Sequence, residues 1–98
     1  MSTIDELAET FKLLSDPTRL HLVRLLAGDK KLCVNALARK LGVTQSAISQ
    51  HLRLLRQAGL VTSLRQGSFI HYSLKPRRLN ALRETLHDLM AAGEGPPR

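Results

Sequence analysis

Residues 34–60 read VNALARKLGVTQSAISQHLRLLRQAGL, and the helical spacing of their apolar residues is broken once, at LGVT. Gly42 stands where a helix ends in a left-handed residue, and Thr44 stands where the next helix needs a side-chain oxygen over its first N–H groups. The spacing predicts a short helix over Val34 to Leu41 and a longer one that starts from Thr44 as its cap and ends at Gly59 after Ala58. Two helices joined by so short a break form a helix-turn-helix, and the rest of the chain must fold around that pair.

On the N-terminal side, Thr3 and Glu6 have the spacing of a capping box, and Ile4, Leu7, Ala8, Phe11 and Leu14 recur at helical spacing, so a first helix runs to about Ser15. In SDPTRL, Asp16 is placed to cap and Pro17 suits a first helical position, which starts a second helix that reaches Gly28; the polar GDKK is the turn after it. On the C-terminal side the period changes. LVTSLR and FIHYSL are β-branched and aromatic runs joined by QGS, a hairpin with Gly67 at the positive backbone angle. Alternation puts Ile70, Tyr72 and Leu74 on one face, with Tyr72 in the core, and Phe69, His71 and Ser73 on the other. Pro76 then opens a last helix in which Leu79, Leu82, Leu86 and Leu89 repeat every three or four residues. Five helices with one hairpin after the fourth is the element order of a winged helix-turn-helix, a mainly α fold with a small β-hairpin. No repeat or second domain is visible: residues 1–92 form one DNA-binding and dimerisation domain, and the tail GEGPPR, residues 93–98, is expected to be disordered.

Charge narrows the partner. The net charge is +7, and its distribution says more than its sum. Residues 30–83 carry eleven Lys or Arg and no Asp or Glu, while both ends are mixed. A solvated basic face is the plain explanation of a charge run, but an acid-free stretch of this length reads as a footprint for a polyanion. Nucleic acid is favoured over a membrane, because no basic amphipathic helix with aromatic anchors accompanies the charge. With one cysteine no intrachain disulfide framework is available, and the polar start after Met1 has no apolar run of signal-peptide or membrane-span length, so a cytoplasmic location is expected.

At about 100° per residue the fourth helix has two faces. Ala47, Ile48, Leu52, Leu55 and Ala58 form the inward one; Ser46, Ser49, Gln50, Arg53, Arg56 and Gln57 form the outward one. The outward set suits the major groove, since Gln bonds adenine in bidentate fashion, Ser donates or accepts, and Arg takes guanine or phosphate. Thr44, Gln45, Ser46, Ser49 and Gln50 are the base-edge and positioning candidates, and Arg53 is the phosphate candidate. His51 falls toward the apolar side, where a structural role and a DNA contact remain open. In the hairpin, Arg65 and Gln66 flank Gly67, and Arg65 is the residue assigned to the minor groove or adjacent backbone. The first and last helices carry more apolar stripe than one small core can cover, so they are expected to pair across a homodimer.

LSDPTRLHLVRLL, LCVNALARKLGVTQSAISQHLRLLRQAGLV and RQGSFIHYSL, in this order and spacing, resemble the ArsR/SmtB family of winged-helix repressors over essentially the whole chain from Leu7 to Leu89. The resemblance implies a homodimeric repressor that leaves its operator when an inducer binds. Family members sense thiophilic metals through Cys-x-Cys at the start of the third helix; here Cys33 holds the first position and Asn35 the second, and no other cysteine exists. A three-thiolate site within one subunit is therefore impossible. The family's other site, on the last helix, would fall at Pro76 and Arg78, and arginine does not ligate metals; Glu84, His87 and Asp88 remain as a weaker zinc alternative across the dimer. No metal or cofactor is assigned. Cys33 remains as a redox or electrophile sensor at the positive end of a helix, near Lys30 and Lys31, or as a small packed residue.

Other classes fit less well. No nucleophile, base and orienting group occur together and no phosphate-binding glycine loop is present, which argues against an enzyme. Metal or thiol trafficking would need clustered Cys or His. A nucleoid-type binder without sequence preference would use the same basic middle, but a sequence-reading helix would then be surplus.

Overall fold

The computed structural model describes residues 3–28 and 32–93. Its elements are α1 (Thr3–Leu14), α2 (Pro17–Gly28), β1 (Leu32–Cys33), α3 (Val34–Leu41), α4 (Gln45–Gln57), β2 (Val61–Gln66), β3 (Phe69–Leu74) and α5 (Pro76–Ala92). The expected turn at 29–31 and the tail beyond Gly93 lie outside the described residues.

The first corner is made by Asp16. Its Oδ1 accepts from the backbone N–H of Thr18 at 2.8 Å and of Arg19 at 3.2 Å, covering two donors at the start of α2, and Pro17 fills the first helical position as expected. The N–H of Arg19 holds the Asp16 carboxyl below its usual range; desolvation opposes this, while the Thr18 N–H and the charge of Arg19 add to it. Among the described residues α1 begins at Thr3.

One strand was not expected. Leu32 pairs with Tyr72 and Cys33 with His71, antiparallel, which turns the hairpin into a three-stranded sheet of order β1-β3-β2. Two residues carry no readable period. They extend because β3 offers an open edge and because Cys33, as the residue capping α3, is already extended at φ −88°, ψ 165°. The hairpin register, from Val61 opposite Leu74 to Gln66 opposite Phe69, keeps the expected alternation. Tyr72 and Leu74 pack half-buried on the core, whereas Ile70, on the same face but nearer the tip, outruns the core and is exposed.

The core is the helix-turn-helix itself. Leu22 and Leu26 of α2, Leu37 and Ala38 of α3, and Ile48, Leu52 and Leu55 of α4 close against Leu60 and Val61 at the base of the hairpin. The terminal helices contribute little: α5 has no buried residue, and α1 buries Leu7 and Thr10, the latter donating to the Glu6 carbonyl at 3.0 Å. Ile4, Phe11, Leu89 and Met90 stand at 61%, 45%, 44% and 65% exposure, so both terminal helices keep an uncovered apolar edge.

In urea unfolding, Leu37→Ala is expected to cost about 2–5 kcal/mol, and Leu20→Ala, at a half-exposed site on α2, about 0.5 kcal/mol or less. Acid titration reports on Asp16. Because its folded value is depressed, its stabilisation is complete above the usual carboxylate range and is lost as pH falls through the lowered value. Asp16→Asn, which keeps a capping oxygen, should show a flatter loss of stability below about pH 4.

Candidate nucleic-acid interface

α4 begins at a full cap. Thr44 is extended (φ −72°, ψ 154°) and its Oγ1 accepts from the Ala47 N–H at 3.0 Å, while Gly42 before it takes the left-handed φ of 67°. The turn between α3 and α4 is thus set by one glycine and one hydroxyl, as LGVT implied. Thr44 is spent on this bond, which makes it a positioning residue for the helix start.

The rotation of α4 follows from its core residues. Ile48, Leu52 and Leu55 are buried, and Ser46, Ser49, Gln50, Arg53, Arg56 and Gln57 are all exposed on the opposite side. On that face Arg53 Nη2 donates to Gln50 Oε1 at 3.0 Å, joining a guanidinium and an amide one turn apart. Gln45 Nε2 donates to Asn35 Oδ1 at 3.2 Å and links the first turns of α3 and α4. Arg56 Nη1 donates to Ser63 Oγ at 3.2 Å, tying the C-terminal half of α4 to β2. Neither of the last two contacts was foreseen, since amide and hydroxyl pairs carry no periodic signal.

The wing stands beside this face. Gly67 turns it at φ 64° with nothing within 4 Å of an added Cβ, so the backbone angle and not crowding calls for glycine. Arg65 and Gln66 are exposed before it. Between the wing and the start of α4 runs an open groove lined by Gln45, Ser49, Ser68 and Phe69, with Cys33 and Asn35 on its α3 side. The fold therefore brings Gln45 and Ser49 together with the wing, along one side of the molecule.

His51 goes elsewhere. It is half-buried, and its Nδ1 accepts from Arg19 Nε at 3.2 Å, while Arg19 Nη1 donates to the Leu13 carbonyl at 2.9 Å. Of the two roles left open for His51, the contact present is the structural one, and Arg19 was not among the predicted residues. Cys33 is a free, half-buried thiol that caps α3 with no side-chain bond to the helix. Its cross-strand neighbour His71 has a buried Nδ1 without a partner among the described residues. Glu84, His87 and Asp88 are exposed on α5, and among the described residues no group of three or more His, Cys, Asp or Glu is placed to hold a metal ion. Nor is any helix among them long and apolar enough to cross a membrane.

A capped recognition helix beside a glycine-turned wing defines the winged helix-turn-helix class of transcriptional regulators, which are not enzymes. The chain belongs to the arsR family of bacterial regulatory proteins: residues 16–63 match that family directly. It is 37% identical over 84 residues to the arsenic resistance transcriptional regulator ArsR2 of Pseudomonas putida, covering 86% of this chain and 73% of that protein. It is 46% identical over 68 residues to the arsenical resistance operon repressor of Escherichia coli, which covers 69% of this chain but only 58% of the repressor's length. Among solved structures, an ArsR-like transcriptional regulator from Rhodococcus sp. RHA1 superposes with a TM-score of 0.83 at 34% identity, over 96% of this chain and 88% of that one.

Since Thr44 acts through its hydroxyl, Thr44→Ala should lower unfolding stability by about 1 kcal/mol in chemical denaturation, and Thr44→Ser should stay within a few tenths of wild type.

Proposed function

We propose that this protein is a homodimeric repressor that reads a palindromic DNA operator with the exposed face of α4 and the wing around Gly67. The observation that carries the reading is the exposed polar row Ser46, Ser49, Gln50 and Arg53 beside Arg65 and Gln66, all within the acid-free residues 30–83. In this reading Gln45, Ser46, Ser49 and Gln50 meet base edges at the N-terminal part of the helix, and Arg53 and Arg65 meet phosphate and minor groove. The Arg53–Gln50 bond pre-orients both groups before DNA arrives. Dimerisation rests on the uncovered edges of α1 and α5, with Ile4, Phe11, Leu89 and Met90 the residues a second copy would cover. A two-fold axis through those helices puts the two recognition helices roughly 34 Å apart, one turn of duplex.

Release from DNA is assigned to Cys33. Two of the similar proteins are named for arsenic, yet this chain has a single cysteine and no three-thiolate site within one subunit. What supports a thiol-reactive signal is position: Cys33 caps α3, which Asn35 and Gln45 join to α4, and it lines the groove beside the wing. An adduct on its sulfur would displace the helix that supports recognition.

The test is a mobility-shift series on DNA upstream of the protein's own gene, with random duplex as competitor. Wild type should keep its operator in excess competitor, and Gln50→Ala or Arg65→Ala should weaken it by about 1–3 kcal/mol. Unchanged binding in both variants would remove these residues from the interface, and equal affinity for random duplex would make the protein a nucleoid-type binder. Raising salt should weaken binding steeply, because releasing the DNA's counterions into more concentrated salt is less favourable. Sedimentation at micromolar concentration should show a dimer; a monomer alone contradicts the arrangement. For the signal, Cys33→Ser should hold its operator under peroxide that releases wild type, and release at the wild-type dose would end the thiol reading.

A further inference from the structure

The carbonyl of Leu13 has no helical partner available. It would be bonded by the N–H four residues on, and that residue is Pro17, which has none. Arg19 Nη1 takes the place of that donor at 2.9 Å. The same guanidinium spends Nε on His51 Nδ1 at 3.2 Å, and the Arg19 backbone is itself held by Asp16. One residue therefore fastens the end of α1, the start of α2 and the middle of α4.

A guanidinium has donors only, so the nitrogen it meets must offer a lone pair. His51 is then neutral, with its proton on Nε2. We propose that Arg19 is a positioning residue for operator binding, holding α4 to the α1–α2 corner through His51 for as long as that ring stays uncharged. This rests on the DNA reading above. His51 sits between exposed Gln50 and buried Leu52, so the bond helps set how α4 turns Gln50 and Arg53 outward.

Protonating the ring removes the acceptor and sets a second cation beside Arg19. Against that charge stand the Asp16 carboxylate just before α2 and, on α1, Glu6 and Glu9, which line a groove with Leu54 and Gln57 of α4; Arg19 of α2, in contact with the ring, disfavours it. Histidine is the residue type that changes charge on mild acidification, so pH is the variable that reads the latch. The sign separates this from plain electrostatics. Added positive charge on a DNA-binding protein tightens its hold on any duplex, whereas loss of the latch lowers the preference for the operator over random DNA.

The experiment measures that preference from pH 8 to pH 5.5, using a duplex selected by the full-length protein from a random pool. Wild type should lose about five-fold in the ratio, the factor of one ordinary hydrogen bond. His51→Gln, whose side-chain oxygen accepts but does not titrate in this range, should give a flat profile. Arg19→Ala should have a reduced ratio at pH 8 and no further fall. A constant ratio in wild type, or an equal fall in His51→Gln, overturns the proposal. Nitrogen-resolved NMR of the free protein at pH 8 tests the latch without DNA: an unprotonated Nδ1 on His51 supports it, and a proton on Nδ1 overturns it. Failure of the DNA reading shows separately, as no selected sequence and no preference at pH 8.

Discussion

A helix has one rotation about its own axis, and burying Ile48, Leu52 and Leu55 against Leu22 and Leu37 fixes that of α4. Once those three are inside, Ser46, Ser49, Gln50 and Arg53 have nowhere to go but out. The same core determines where the wing stands, because Leu60 and Val61 at its base belong to it; the Leu60 N–H bonds the Leu55 carbonyl at 3.0 Å, and the Lys75 N–H bonds the Leu60 carbonyl at 2.9 Å. The exposed polar face of α4 and the wing are therefore two consequences of one packing event. Each fully buried leucine in it contributes about 1.5–3 kcal/mol, above the roughly 1 kcal/mol or less carried by any single exposed polar contact.

The polar contacts refine what the core sets. Thr44 defines the first turn of α4, Gln45 and Asn35 join it to α3, and Arg56 and Ser63 join its far half to β2. Arg19 adds a fourth tie from behind, through His51. Most of these bonds are exposed, so their effect is on orientation more than on stability. Orientation is what the proposed base readout requires.

Most of this was legible in the sequence, for identifiable reasons. Periodicity placed the helices because each buries one face, and Gly42, Thr44, Gly67 and Pro76 marked their own turns because each answers a specific backbone demand. The inward and outward sets of α4 were separable by angle alone. What escaped were features set by tertiary proximity. β1 is two residues long and exists because β3 has a free edge. Arg19 meets His51 across 32 positions, and nothing local distinguishes it from the other surface cations. The need it meets was nonetheless written in the chain, since Pro17 leaves the Leu13 carbonyl without its helical donor. At Cys33 the sequence supplied the position, just before the first turn of the third helix, and the structure adds that the residue caps that helix, is half-buried and shares a groove with the wing.

The central claim is that DNA meets the exposed face of α4 and the wing. Amide NMR shifts recorded while a selected duplex is titrated into the isotope-labelled protein test it residue by residue. The account predicts that the largest changes fall at Ser46, Ser49, Gln50, Arg53 and Arg65, with α5 nearly still. Changes centred on α5, or spread evenly over the basic surface, would contradict it.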